Sequence, residues 1–145
     1  MAIITDRVAA ARAGSSNTVI TRVTSGWAVM GDPQIMPGYC LLLPDPVVPS
    51  LNHLGAEARA AFLSDMARIG DAILATTGAA RINYEILGNA DPELHAHIVP
   101  RYSDEPADLR TKPVWFYDWQ NGPKFSVEQH GDLQARIRDA LAQVS

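Results

Sequence analysis

Glu93-Leu94-His95-Ala96-His97-Ile98-Val99-Pro100-Arg101 alternates strictly between polar and apolar side chains from Glu93 to Ile98. Leu94, Ala96 and Ile98 share one parity, while Glu93, His95 and His97 share the other. A period of two predicts a β-strand with one packed face and a row of polar side chains, about 6.8 Å apart, on the other. Two of the chain's four histidines stand in this row. A purely structural strand has little reason to carry them, so this stretch is the candidate chemical site.

Working outward, Arg81, Asn83 and Glu85 alternate with Ile82, Tyr84 and Ile86 and predict a second strand over 80–87. The turn-forming run Gly88-Asn89-Ala90-Asp91-Pro92 joins the two strands as a hairpin. A register symmetric about that turn sets Glu85 opposite His95 and Asn83 opposite His97, with the polar parities on one face. Further upstream, Phe62, Met66, Ile69 and Ile73 recur at helical spacing and predict a long amphipathic helix from about Gly55 to Thr77, whose apolar stripe is core. Residues 39–43, 27–30 and 18–23 are strand-like, and Thr5–Ala13 reads as a short helix stopped by Gly14. Downstream, residues 103–124 are irregular. Their aromatic run Trp115-Phe116-Tyr117-Asp118-Trp119 suits a packing or dimer element. Ser126 and Gln129 have capping-box spacing before a terminal helix carrying Leu133, Ile137, Leu141 and Val144. Mainly antiparallel strands with a few helices make the fold class α+β. The expectation is one domain over 1–145, with a motif-bearing core at about 26–101 and a C-terminal extension at 102–145.

Charge and cysteine usage narrow the function. A net charge of −4 without long runs of one sign excludes a binder of nucleic-acid backbones but admits a small anionic ligand in a local pocket. Cys40 is the sole cysteine and lies in an apolar run. It reads as a buried small residue in a protein of the reducing cytoplasm. The first residues lack a basic region followed by a long apolar stretch, so neither a signal peptide nor a membrane span is expected.

A His-X-His pair on a strand suits nucleophilic and acid–base chemistry. A neutral imidazole attacks phosphorus or carbonyl carbon, and a neighbouring ring protonates or hydrogen-bonds a leaving group. Asn83 and the Gly88-Asn89 turn offer neutral donors to an anion or to sugar hydroxyls, and the Tyr39 hydroxyl can touch a ligand from the pocket wall. Glu93, His95 and His97 also carry metal-ligand atoms, but no further ligand has convincing spacing. The bland alternative is two partly exposed histidines with no role. His53 and His130 read as surface residues.

The sequence resembles the histidine triad (HIT) superfamily. His95-Ala96-His97-Ile98-Val99-Pro100-Arg101, preceded by Asn83-Tyr84-Glu85-Ile86-Leu87-Gly88-Asn89, is similar to the family pattern His-φ-His-φ-His-φ-φ, which often continues Pro-Arg. Pro37-Gly38-Tyr39-Cys40-Leu41-Leu42-Leu43-Pro44 is similar to the upstream family strand Pro-Gly-His-φ-φ-φ-φ-Pro, and the long helix falls between the two. The resemblance implies an antiparallel sheet with one long central helix and terminal helices, and a homodimer. It also implies attack on the α-phosphate of a nucleotide derivative, of the phosphoramidate or dinucleoside polyphosphate class, through a nucleotidyl-histidine intermediate that water or another acceptor resolves. Magnesium is not a general requirement of that chemistry, and no cofactor is expected. By position the nucleophile falls on His95 and the assisting histidine on His97. Asn83, Asn89, Glu93 and Tyr39 are then the nucleotide-binding candidates.

Two positions depart from the pattern: Glu93 stands at the first triad position and Tyr39 at the upstream histidine. A carboxylate one strand step from His95 would favour its imidazolium form, which is a poorer nucleophile. The alternative reading is therefore a catalytically weakened protein that binds a nucleotide or another anion.

Overall fold

The architecture is that of a computed structural model, which describes residues 3–144. Five strands, β1 (Val19–Val23), β2 (Gly26–Met30), β3 (Cys40–Pro44), β4 (Arg81–Glu85) and β5 (Ala96–Arg101), pair antiparallel in the order β1-β2-β3-β5-β4. Three helices accompany them: α1 (Ile3–Ala13), α2 (Ala56–Thr76) and α3 (Val127–Gln143). The α+β class expected from the sequence is the one observed. The helix ends follow local chemistry. Gly14 stops α1 at φ 70°, a left-handed conformation that costs a glycine little. At the start of α3, the Ser126 hydroxyl accepts from the Gln129 N–H at 3.1 Å.

Strand alternation sorts the core into two layers. Cys40, Leu42, Ala96 and Ile98 pack with Phe62, Ile69 and Ile73 of α2 and with Ile137 and Leu141 of α3. On the opposite face Val29, Leu41, Leu43 and Val99 pack with Ile4 and Val8 of α1 and with Val114. The sheet is thus covered on both sides, and every residue of β3 is buried.

Two details differ from the sequence expectation. First, the histidine strand begins at Ala96, and residues 86–95 form a loop. The Leu94 amide leaves the ladder to donate to the Val48 carbonyl at 2.9 Å, which turns Glu93 and His95 out of the strand. Second, Glu85 pairs with His97 and Asn83 with Val99, two residues away from the symmetric register. An even slip preserves the faces, so the polar parities of β4 and β5 still point to one side.

Arg101 ends β5 and gathers the segment that follows. Its guanidinium donates to the Glu105 carboxylate, with the shortest contact at 2.8 Å, to Asn83 Oδ1 at 2.9 Å and to the Lys112 and Leu109 carbonyls at 2.7 and 3.2 Å. This bonding folds 102–119 back over the α1 side of the sheet.

Gly31 lies flat against the ring of Tyr39: a Cβ there would sit 2.1 Å from the ring. Tyr39 is buried and has no room to retreat. Gly31→Ala is therefore expected to lower unfolding free energy by about 1–3 kcal/mol, read as a lower urea midpoint with an unchanged m value.

Candidate active site

His97 lies near the start of β5 and His95 in the loop just before it, on the side that α1 and residues 102–119 cover. His95 Nδ1 lies 2.7 Å from the main-chain oxygen of Glu93. A carbonyl can only accept, so Nδ1 carries the hydrogen, and the Nε2 of the neutral ring keeps its lone pair. His97 Nδ1 lies 2.8 Å from the Tyr39 hydroxyl. Burial pushes that phenol above its usual range, so it keeps its proton. Tyr39 has no other acceptor among the described residues and donates to Nδ1, leaving the N–H of neutral His97 on Nε2.

The two imidazoles meet edge to face, with centroids 4.9 Å apart. Among the described residues neither Nε2 has a protein partner, and no sealed side-chain nitrogen or oxygen is unpaired. Both Nε2 atoms therefore open onto solvent-reachable space, although His95 is only 8 % exposed. A lone pair and an N–H donor stand side by side, within reach of one small ligand. Burial first, then the neighbouring His95 and Arg7, lower the His97 pKa to about 4. His97 is thus a neutral hydrogen-bond donor at physiological pH.

Aromatic residues wall the site. Trp115 meets the His97 ring edge-on at 4.8 Å and stacks on Trp119 at 4.9 Å, and Trp119 meets Tyr39 at 5.9 Å. The Trp115 indole N–H donates to Glu85. On its other side His95 faces a cavity of about 250 Å³, bounded by Ser50, Leu51 and Asn52 of one loop and Ile86 and Leu87 of another. Small-molecule sites run to about 300–1,000 Å³, so this space suits one nucleoside-sized group and not an entire dinucleotide. Clefts of about 430 and 560 Å³ lie elsewhere, but neither contains a histidine.

The sequence-derived candidates are placed as follows. Tyr39 joins the histidines directly. Asn83 lies on the same face, but its Oδ1 accepts from Arg101. Asn89 is exposed on the loop bend. Glu93 turns away from the row: its carboxylate accepts from the Thr5 backbone N–H at 3.0 Å and from the Thr5 hydroxyl at 2.7 and 2.9 Å. Its side chain thus caps the first turn of α1, where an anion is favoured, and only its main chain meets His95. Among the described residues no group of three His, Cys, Asp or Glu side chains is arranged to hold a metal ion. Cys40 is fully buried, and burial pushes its thiol well above the usual range. Sequence reasoning missed Arg7, which lies beside the pair, and read Trp115 as part of a packing or dimer element without placing it at the histidines. The aromatic run was visible in the sequence, but its contact with His97 was not.

A family model described as the HIT domain matches residues 14–104. Among solved structures, a histidine triad protein from Marinobacter aquaeolei is similar over 97 % of this chain and 96 % of its own, with 21 % identity and a TM-score of 0.76. A histidine triad protein from Bradyrhizobium japonicum covers 90 % of this chain and 94 % of its own, with 21 % identity and a TM-score of 0.76. A hypothetical histidine triad nucleotide-binding protein from Sulfolobus tokodaii covers 94 % and 91 %, with 14 % identity and a TM-score of 0.73. At these identities the likeness speaks for the fold. No curated protein matches the chain.

Two outcomes are expected. Glu93→Ala frees the start of α1 and costs about 1 kcal/mol, read by urea denaturation. The His97 ring, followed by NMR, titrates near pH 4. Between about pH 6.5 and that value the unfolded chain takes up a proton that the folded chain refuses. Stability therefore falls as pH drops through this window, and a flat profile would contradict the assignment.

Proposed function

This chain belongs to the HIT domain family, and we propose that it acts on nucleotide derivatives at the α-phosphate, as a hydrolase or nucleotidyl transferase, through a nucleotidyl-histidine intermediate on His95. One observation carries the reading: the Nδ1–H of His95 is held by the Glu93 carbonyl, which leaves the Nε2 lone pair open to solvent-reachable space. Asn83, Asn89 and Glu93 are the weaker nucleotide-binding candidates, because Arg101 engages Asn83, Asn89 is exposed and Thr5 holds Glu93.

In the first step His95 Nε2 attacks phosphorus. The N–P bond forms, and the bond to the leaving group breaks with its electron pair staying on the leaving atom. The Nε2–H of His97 hydrogen-bonds the departing atom or a phosphate oxygen and stabilises the charge that develops there. Water or another acceptor then attacks phosphorus, the N–P bond breaks, and the nucleotidyl group departs. Tyr39 acts through His97 as a positioning residue. The nucleoside part lies in the cavity beside His95, between the 50–52 and 86–87 loops.

Homodimerisation belongs to the same reading. It is supported by the position of β4 at the edge of the sheet and by Tyr84 and Leu74, each 41 % exposed. No helix among the described residues is long and apolar enough to cross a membrane. The lone buried Cys40 suits a reducing compartment such as the cytoplasm.

Incubation with diadenosine tetraphosphate and with adenosine phosphoramidate, followed by intact-protein mass spectrometry, tests the proposal. Turnover, or a nucleotidyl adduct that His95→Ala abolishes, is the expected result. Loss of the nucleophile is expected to lower kcat at least about 10³-fold. Saturable nucleotide binding with neither turnover nor adduct would replace the enzyme by a nucleotide-binding protein.

A further inference from the structure

Arg7 projects from α1 onto the histidine face in surroundings unlike those of the other buried or paired arginines. Arg12, Arg68, Arg101 and Arg136 each meet a carboxylate, and the half-buried Arg59 donates to two carbonyls, of Leu51 at 3.3 Å and Leu54 at 3.0 Å. The half-buried Arg7 has, among the described residues, no carboxylate at ion-pair distance, and its one hydrogen bond is a long one of 3.4 Å to the Met30 carbonyl. No sealed side-chain nitrogen among the described residues lacks a partner. The remaining N–H groups of Arg7 therefore open onto solvent-reachable space.

Its position follows from the strand end it touches. Met30 closes β2, Gly31 packs against the Tyr39 ring, and the Tyr39 hydroxyl holds His97. The guanidinium thus lies beside the Tyr39–His97 pair. Its charge is felt there: it contributes to lowering the His97 pKa, after burial and His95, while burial lowers its own. Asp32 acts on this cation only from beyond ion-pair distance, and a partly buried cation without a directly paired carboxylate is unfavourable in a resting protein. An anion placed across its free donors would offset that cost, and the planar fork of arginine matches phosphate oxygens.

We propose that Arg7 binds the phosphate chain of the leaving group, so that the site favours nucleotide derivatives that depart as polyphosphates over those that depart as amines. This deepens the reading of His95 as nucleophile and rests on it. As the His95 Nε2–P bond forms, the P–O bond to the next phosphate breaks and its electron pair remains on that oxygen. The product is a weakly basic phosphate anion that needs no proton, only a counter-charge from Arg7 and a hydrogen bond from His97 Nε2–H. An amine leaving group requires full protonation. A neutral imidazole whose Nδ1 already accepts from Tyr39 is a poor source of that proton.

The test compares wild type, Arg7→Gln and Arg7→Lys, each checked for folding by its thermal melt. It takes the ratio of kcat/KM for diadenosine tetraphosphate to kcat/KM for adenosine phosphoramidate. The expected wild-type ratio exceeds one, falls roughly a hundredfold in Arg7→Gln, and is partly restored in Arg7→Lys. An equal loss on both substrates, or a ratio that does not move, overturns the proposal. A second arm measures binding of inorganic tripolyphosphate by calorimetry, with affinity expected to weaken about tenfold or more in Arg7→Gln. If wild type shows neither turnover nor a nucleotidyl adduct with either substrate, the functional reading fails and this arm still decides for or against Arg7: unchanged affinity overturns its role.

Discussion

A strand buried on both faces cannot leave its polar side chains unpaired, and β5 is such a strand. Ala96 and Ile98 lie against the α2 layer, while Val99 and Arg101 lie under α1 and the segment after β5. The imidazole of His97 on the second face, and that of His95 just before the strand, are held where water is scarce and local partners decide their state. The Glu93 carbonyl and the Tyr39 hydroxyl are those partners. Each takes one Nδ1 and leaves one Nε2 open, with opposite consequences: a lone pair on His95 and an N–H on His97. Burial therefore does more than shelter the pair. It makes the two rings chemically different.

That cover depends on Arg101. Its cation, 7 % exposed, faces Glu105, 8 % exposed, and the pair sits among carbonyls from the following segment. Removing one member of a buried pair leaves the other charged and unpartnered, which costs about 3–5 kcal/mol. Complete pairing is thus a condition for residues 102–119 to stay down. Tyr117 adds its hydroxyl to Glu105, and Trp119 packs on Tyr39. Trp115 reaches His97 only because this segment is fixed in place. Structural pairing at the end of β5 and low polarity around the histidines have one physical origin.

Much of this was legible in the sequence because it is local. Period-two alternation from Ala96 to His97 to Ile98 predicted the faces correctly, and the spacing of Phe62, Ile69 and Ile73 gave α2 to within a residue of Gly55 and Thr77. The two-residue error in the β4–β5 register arose from assuming a short symmetric turn, whereas the Leu94 amide bonds to Val48 and lengthens the loop. What stayed illegible is non-local. Thr5 and Glu93 are separated by 88 positions, and no periodicity links Arg7 to Met30 or Trp115 to His97. Glu93 looked like a site carboxylate because only strand parity was available to place it.

Residues 93 and 39, the two positions at which the sequence reads as departing from the histidine pattern, differ in kind. At position 93 the contact with His95 is made by a main-chain oxygen, which every amino acid supplies. The side chain there is free to do something else, and Glu93 caps α1. The expected push of its carboxylate on the His95 ring has no geometric basis, since the carboxylate faces Thr5. At position 39 the contact is made by the side chain itself, so identity matters: a phenol of raised pKa donates to His97 and stays neutral. A substitution on this site is therefore judged by whether its neighbour reads the backbone or the side chain. On that criterion Glu93 leaves the main-chain contact to the His95 ring intact, and Tyr39 sets the tautomer of His97.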